Sequence, residues 1–261
     1  VKTWPVPGAQ TYSWSTTELA DGAYPGKLIV YDEAGNVATS MATATVDNTV
    51  PTAEIRAPPD GSYLSGTYQI TVHGYDANIR TVELYIQDSL VKTWTAGGIQ
   101  TYTWNTAALA DGAFRVKLLI KDEAGNAVEK TATITVDNTR PTVSINAPTA
   151  GAELWGNVTI KFTASDTNLD KVLLYINSAM FDATGTTSYI WATTTLGDGG
   201  HTIRLVATDR AGNRAETSRT VNTINVRRAT VETRNTYLAI GLPIGLVIGA
   251  LIAYVLLRKR H

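Results

Sequence analysis

Residues 1–52 and 91–142 are the same sequence written twice. Aligned at an offset of 90, they share 31 identities in 52 positions. Val1-Lys2-Thr3-Trp4 returns as Val91-Lys92-Thr93-Trp94, and Asp32-Glu33-Ala34-Gly35-Asn36 as Asp122-Glu123-Ala124-Gly125-Asn126. Val46-Asp47-Asn48-Thr49 returns as Val136-Asp137-Asn138-Thr139. A third, more diverged copy follows. Val82-Glu83-Leu84-Tyr85-Ile86 matches Val172-Leu173-Leu174-Tyr175-Ile176 at offset 90, whereas Tyr102 and Trp104 match Tyr189 and Trp191 at offset 87. Three residues are therefore absent between Ile176 and Tyr189, expected in a loop. Self-similarity at a fixed period confines the chain to a row of like units. Residue 1 corresponds to residue 91, in mid-unit, and neither an initiating Met nor a leader precedes it. A fragment of a longer protein is expected, its first unit lacking a front half and unstable alone.

Within one unit, residues 51–136, the apolar residues alternate. Ile70 and Val72, then Val82, Leu84 and Ile86, then Val116, Leu118 and Ile120, then Ile134 and Val136 all recur every second position. That period belongs to strands with one buried and one wet face. Pro58-Pro59-Asp60-Gly61, Asp76-Ala77-Asn78, Asp111-Gly112 and Ala124-Gly125-Asn126 punctuate the runs. About seven short strands in some 85–90 residues predict an antiparallel β-sandwich of immunoglobulin type. The fold class is all-β, with tandem sandwiches and one C-terminal transmembrane helix. No long stretch before residue 236 has helical period.

The motif series is a DNTxPT opening, a VxLYI strand, a YxW strand, LxDG, DxAGN and a closing VDNT. It resembles the Ig-like repeats of large bacterial and archaeal secreted and surface proteins, over residues 1 to about 224. The resemblance implies an extracytoplasmic spacer or adhesive module. The third copy departs at its end, where Thr223-Ile224-Asn225-Val226 stands in place of Val-Asp-Asn-Thr, as suits a terminal, membrane-proximal module. The expected organisation is a truncated module at 1–46, modules at 47–136 and 137–224, a juxtamembrane linker at 225–236, a span at 237–257 and a tail at 258–261.

Composition removes several function classes. There is no cysteine, hence no disulfide, thiolate metal site or Cys nucleophile. With 22 Lys+Arg against 23 Asp+Glu the chain has no electrostatic footprint for nucleic acid. Three His, at 73, 201 and 261, and no convergent carboxylate pair give catalysis little to build on, and no enzyme activity is expected.

The remaining candidate sites each have a plain structural reading. The Asp-x-Ala-Gly-Asn segments at 32–36, 122–126 and 209–213 suit hairpin turns, Gly supplying positive φ while Asp and Asn bond to local backbone. The Asp47-Asn48-Thr49 and Asp137-Asn138-Thr139 junctions, each followed by Pro, suit short stiff linkers. Both have calcium as the alternative, because carboxylates and carbonyls suit a hard cation. One site would lie within the Asp-x-Ala-Gly-Asn segments, Asp122 and Asp209 included. A separate inter-domain site would lie at the junctions, with Asp47 or Asp137 as ligand and the remaining oxygens from Asp76 and Asn78, or Asp166 and Asn168. No other cofactor is expected. Tyr102 and Trp104, and their equivalents Tyr12 and Trp14, are expected in the core. Trp4 and Trp94 are the candidate exposed rings for stacking on a glycan. Asn157-Val158-Thr159 is the glycosylation sequon.

Tyr237 to Leu257 is 21 residues without charge. At about 1.5 Å per residue it covers roughly 31 Å, the thickness of a bilayer core. Arg258-Lys259-Arg260 marks the cytoplasmic side. Gly241, Gly245, Gly249 and Ala253 recur every four residues, the small-residue face that lets two helices pack closely, so weak homodimerisation is expected. The expected partners are membrane lipid and a cell-surface protein or glycan. Three functions compete: a surface stalk or adhesin, the anchoring stalk of a secreted protease or glycosidase, and a carbohydrate-binding array. The bare basic tail leans towards an archaeal surface protein.

Overall fold

The computed structural model describes residues 1–6 and 8–239. Contacts divide the chain into two compact units, Val1–Val136 and Asp137–His261.

The first unit opens with a lone hairpin, β1 (Gly22–Tyr31) and β2 (Val37–Val46), in unbroken antiparallel register from Gly22↔Val46 to Tyr31↔Val37. A complete sandwich follows, from β3 (Thr52–Ala57), β4 (Tyr63–Leu64), β5 (Thr67–Tyr75), β6 (Ile79–Ile86), β7 (Ser89–Trp94), β8 (Gly98–Asn105), β9 (Gly112–Asp122) and β10 (Ala127–Val136). One sheet has the order β4-β10-β9-β6-β7 and the other β3-β5-β8. The alternation read from the sequence lands on the inner faces: Ile70, Val72, Val82, Leu84, Val116, Leu118, Ile120, Ile134 and Val136 are all fully buried. Trp104 closes one end of this core edge-on to Phe114.

The second unit repeats the plan with β11 (Thr142–Ala147), β12 (Glu153–Leu154), β13 (Asn157–Ser165), β14 (Leu169–Ile176), β15 (Ala179–Asp182), β16 (Ser188–Ala192), β17 (Gly199–Asp209) and β18 (Arg214–Thr223). Its sheets are β12-β18-β17-β14-β15 and β11-β13-β16. The three-residue shortening does not fall in a loop alone. β15 has four residues where β7 has six, and β16 has five where β8 has eight, so the deletion trims one edge strand of each sheet.

Two sequence expectations are corrected. Tyr12 and Trp14 are not core: they are 60% and 44% exposed, because among the described residues no second sheet faces the β1–β2 hairpin. The stretch before residue 236 is not free of helix: the segment expected as a juxtamembrane linker, 225–236, forms the first part of a helix, α1 (Asn225–Ala239). Its sequence is polar nearly all round, so no apolar stripe announces it. Its start is set by contacts from far along the chain, described below. Among the described residues no helix is long and apolar enough to cross a membrane. Apart from its first three residues, at the end of α1, the apolar run lies outside the described residues. So do Gly241, Gly245, Gly249, Ala253 and the 258–261 tail.

Candidate functional site

Each Asp-x-Ala-Gly-Asn segment is the turn of the last hairpin of its module. Gly35, Gly125 and Gly212 take φ of 87°, 98° and 87°, the left-handed region where a Cβ is strained. The Asp folds back on the turn. Asn126 donates its backbone N–H to Asp122 Oδ1 at 2.8 Å and its side-chain amide to Asp122 Oδ2 at 2.7 Å. Asn213 does the same to Asp209 at 2.8 Å and 2.8 Å, and Asn36 to Asp32 at 2.8 Å and 2.7 Å. In Asp32 the Asn36 side chain, and then its N–H, hold the carboxyl below the usual carboxylate range.

These turns also grip the junctions. Asn126 Nδ2 donates to the carbonyls of Asp47 and Thr49 at 3.0 and 3.2 Å, and Asn213 Nδ2 to those of Asp137 and Thr139 at 2.7 and 3.2 Å. The other end of the first junction is held as well. Asn48 donates its N–H to Asp21 Oδ1 at 2.6 Å and its side-chain amide to the carbonyls of Thr16 and Leu19, both at 2.9 Å. Thr49 Oγ1 donates to Asp21 Oδ2. The Asn48 N–H, then the Thr49 hydroxyl, hold the Asp21 carboxyl below its ordinary value. Residues 47–49 are thus tied both to the β1–β2 hairpin and to the following sandwich.

The same geometry gathers carboxylates. One oxygen each of Asp47, Asp76 and Asp122 lie within 4.8 Å of one another, and likewise Asp137, Asp166 and Asp209. The sequence had placed Asp47 with Asp76, and Asp137 with Asp166, in one calcium alternative, and Asp122 and Asp209 in another. The fold joins the two sets, because the hairpin turn of a module lies beside its own incoming junction. Asp47 Oδ2 accepts from Asn78 Nδ2 at 3.1 Å, and Asp137 Oδ2 from Asn168 Nδ2 at 2.7 Å. Asp76 and Asp166 accept the N–H of Asn78 and Asn168 at 2.8 and 2.7 Å. Three carboxylates amid side-chain and main-chain oxygens are a donor set for a hard divalent cation, and these six are the residues that could hold one.

The other candidates lie apart. Trp94 is half-buried against the core of its sandwich, and Trp4 is also half-buried. Asn157 is exposed at the first position of β13. His73 on β5 sits 3.2 Å from Arg56, and His201 on β17 bonds to Asn177, Gly197 and Thr223. The structure brings neither His to a carboxylate cluster. Sequence reasoning passed over Asp21, Asp198 and Asn225. Their signal was the recurrence of LxDG and of an Asn after the last strand, which acquires a role only once the two are seen to meet.

A curated relative, Bacillopeptidase F of Bacillus subtilis (strain 168), is 28% identical over 226 residues, covering 81% of this chain. The chain spans only 13% of that protein's length. Among solved structures, the fibronectin(III)-like modules of Clostridium thermocellum CbhA align over 67% of this chain and 94% of theirs, at 22% identity and a TM-score of 0.45. A tetra-tandem repeat from the extending region of a large adhesion protein aligns over 80% of this chain and 58% of its own, at 24% identity and a TM-score of 0.36. The bacterial Ig domain profile matches residues 51–118 and 141–205, just over half of the chain and one segment in each sandwich. With strand order, repeat and profile in agreement, the chain belongs to the bacterial Ig domain family.

Proposed function

We propose that this chain is the stalk of a membrane-anchored cell-surface protein, its Ig-like modules outside and its short basic tail in the cytoplasm. The observation that carries the reading is the junction at 47–49. A flexible linker would leave these backbone groups to water. Here Asp21 holds the Asn48 N–H, Asn126 holds the Asp47 and Thr49 carbonyls, and the Thr16 and Leu19 carbonyls anchor the Asn48 side chain, and such a junction resists bending. Resistance to bending is what a spacer needs and what a catalytic module does not. The 21 uncharged residues at 237–257 support the anchor, and the exported character of the family supports the orientation. Ig-like modules of this kind are typically non-catalytic, and we assign this chain no enzymatic step of its own.

A second reading has its own support. The similarity to Bacillopeptidase F over 226 residues favours a stalk that carries a peptidase domain elsewhere in a longer polypeptide. The test of the anchor is direct. The chain is expressed with an N-terminal epitope, the membranes are washed with alkaline carbonate, and intact cells are treated with protease. Retention in the pellet with loss of the epitope is expected. Release by carbonate would remove the anchor, and a protected epitope would reverse the orientation.

A further inference from the structure

We infer that the third module is a dedicated mount for helix α1, which it holds in a fixed direction through the socket that at residue 48 receives the next module. The socket is built from the YxW-to-LxDG connection. In the first unit the Thr16 and Leu19 carbonyls and the Asp21 carboxylate receive Asn48 and Thr49. At the third module Thr193 and Asp198 stand at the positions of Thr16 and Asp21, and Asn225 at that of Asn48. Asn225 Nδ2 donates to the Thr193 carbonyl at 3.1 Å, while its Oδ1 accepts the Thr193 hydroxyl at 3.0 Å and the Gly156 N–H at 3.1 Å. Asp198 then accepts the N–H groups of Val226, at 3.1 and 3.2 Å, and of Arg227, at 3.2 Å. Those donors belong to the first turn of α1, whose amides have no partner inside the helix. A carboxylate at that end also meets the positive end of the helix dipole. Asp198 is therefore a helix cap delivered from 28 residues upstream. The helix begins where the module's own exit socket ends.

Two differences from the second module show that this exit is specialised. Ile224 replaces the junction aspartate, so the outgoing chain carries no carboxylate for a following cluster. Glu153 on β12 and Trp155 just after it replace Tyr63 and Ser65 at and just after β4. Arg228 stacks on the Trp155 ring at 4.1 Å and Arg227 pairs with Glu153 at 3.5 Å. The ion pair is exposed and weak by itself. Stacking at Arg228 gives a second point of attachment, separate from the Asp198 cap on the Val226 and Arg227 amides. One attachment permits pivoting and two do not, so α1 and the third module turn together. A torque or pull on the modules then reaches the helix without being lost in a hinge.

The absence of cysteine makes the test clean, because spin labels go only where they are put. Ser218→Cys on β18 and Asn235→Cys on α1, both exposed, are labelled in the full chain in detergent, and the distance distribution is measured by pulsed electron resonance. A single narrow distribution is expected. Asp198→Ala and Trp155→Ser should each widen it about twofold as the helix gains freedom of orientation. Asp198→Ala should also abolish the hydrogen-exchange protection of the Val226 and Arg227 amides. Protection in β17 reports that the module remains folded, and Asn225→Ala replaces Asp198→Ala if it does not. A broad distribution in the unsubstituted chain, or widths unchanged in all these variants, would overturn the inference.

Discussion

At the scale of single residues, Gly74 shows how closely two copies of one fold are fitted to different fillings. A Cβ built on Gly74 would lie 2.6 Å from Ile120 Cδ1 and 3.2 Å from Val82 Cγ2. The equivalents in the next module are Ala164 and Ala207, so the extra methyl on one strand is matched by a smaller side chain on the facing strand. Gly74→Ala alone is expected to destabilise its module by about 1–3 kcal/mol through overpacking. Combined with Ile120→Ala it should cost less than the sum of the two single changes, by about 1 kcal/mol or more, measured by urea unfolding of the four proteins in the cycle. The aspartate clusters give a second residue-level prediction. Like charges within 4.8 Å of one another repel by roughly 3.5 kcal/mol per pair at an effective dielectric constant near 20, less where water screens them. In chelator, Asp166→Asn removes one charge and keeps a side-chain oxygen for the Asn168 N–H. The melting temperature of the second unit should therefore rise. A fall would mean that the lost hydrogen-bond strength outweighs the repulsion.

At the scale of elements, the strands were legible and the helix was not, for one physical reason. A strand's inner face is written locally, every second residue, and the runs containing Ile70, Val82, Val116 and Ile134 lie within β5, β6, β9 and β10. The Asp-x-Ala-Gly-Asn turns were legible too, since Gly125 and Asp122 close them without help from elsewhere. By contrast α1 has a polar circumference and draws its cap from Asp198 and its side contacts from Glu153 and Trp155, all distant in sequence. The carboxylate clusters were half legible for the same reason. Asp47 and Asp76 belong to chain segments whose meeting point with Asp122 is set by the sandwich. The junction carries a pH dependence of definite sign. In the folded state the hydrogen bonds from Asn48 and Thr49 hold the Asp21 carboxyl, and those from Asn36 the Asp32 carboxyl, below the ordinary aspartate range. The stability these carboxyls supply is therefore fully present above about pH 4 and is lost as pH falls through their lowered folded-state pKa values. Exchange protection at Asn48 and Asn36 should fall over that acid range, and Asp21→Asn should remove the pH dependence at Asn48 while leaving that at Asn36.

At the scale of the whole molecule, the first unit contains its own control. The β1–β2 and β9–β10 hairpins share the Asp-Glu-Ala-Gly-Asn turn, and their registers run in parallel, Gly22↔Val46 in one and Gly112↔Val136 in the other. What differs is company. β9 pairs with β6 and faces the β3-β5-β8 sheet, and Leu118 and Ile120 are fully buried. Among the described residues β1 pairs with β2 alone, leaving Leu28 51% and Val30 54% exposed. A two-stranded hairpin has little stability in water, because most of what holds a sheet is the apolar face covered by another layer. Amide exchange should therefore separate the two. The inner-face amides of β9 should exchange only by opening of the whole sandwich, and those of β1 by local fraying, at least about a hundredfold faster. Two hairpins of such similar sequence then report the worth of tertiary burial with the turn chemistry held constant. Equal protection in β1 and β9 would mean that some other surface covers the Leu28–Val30 face in solution, and the β1–β2 hairpin would have to be treated as one half of an interface.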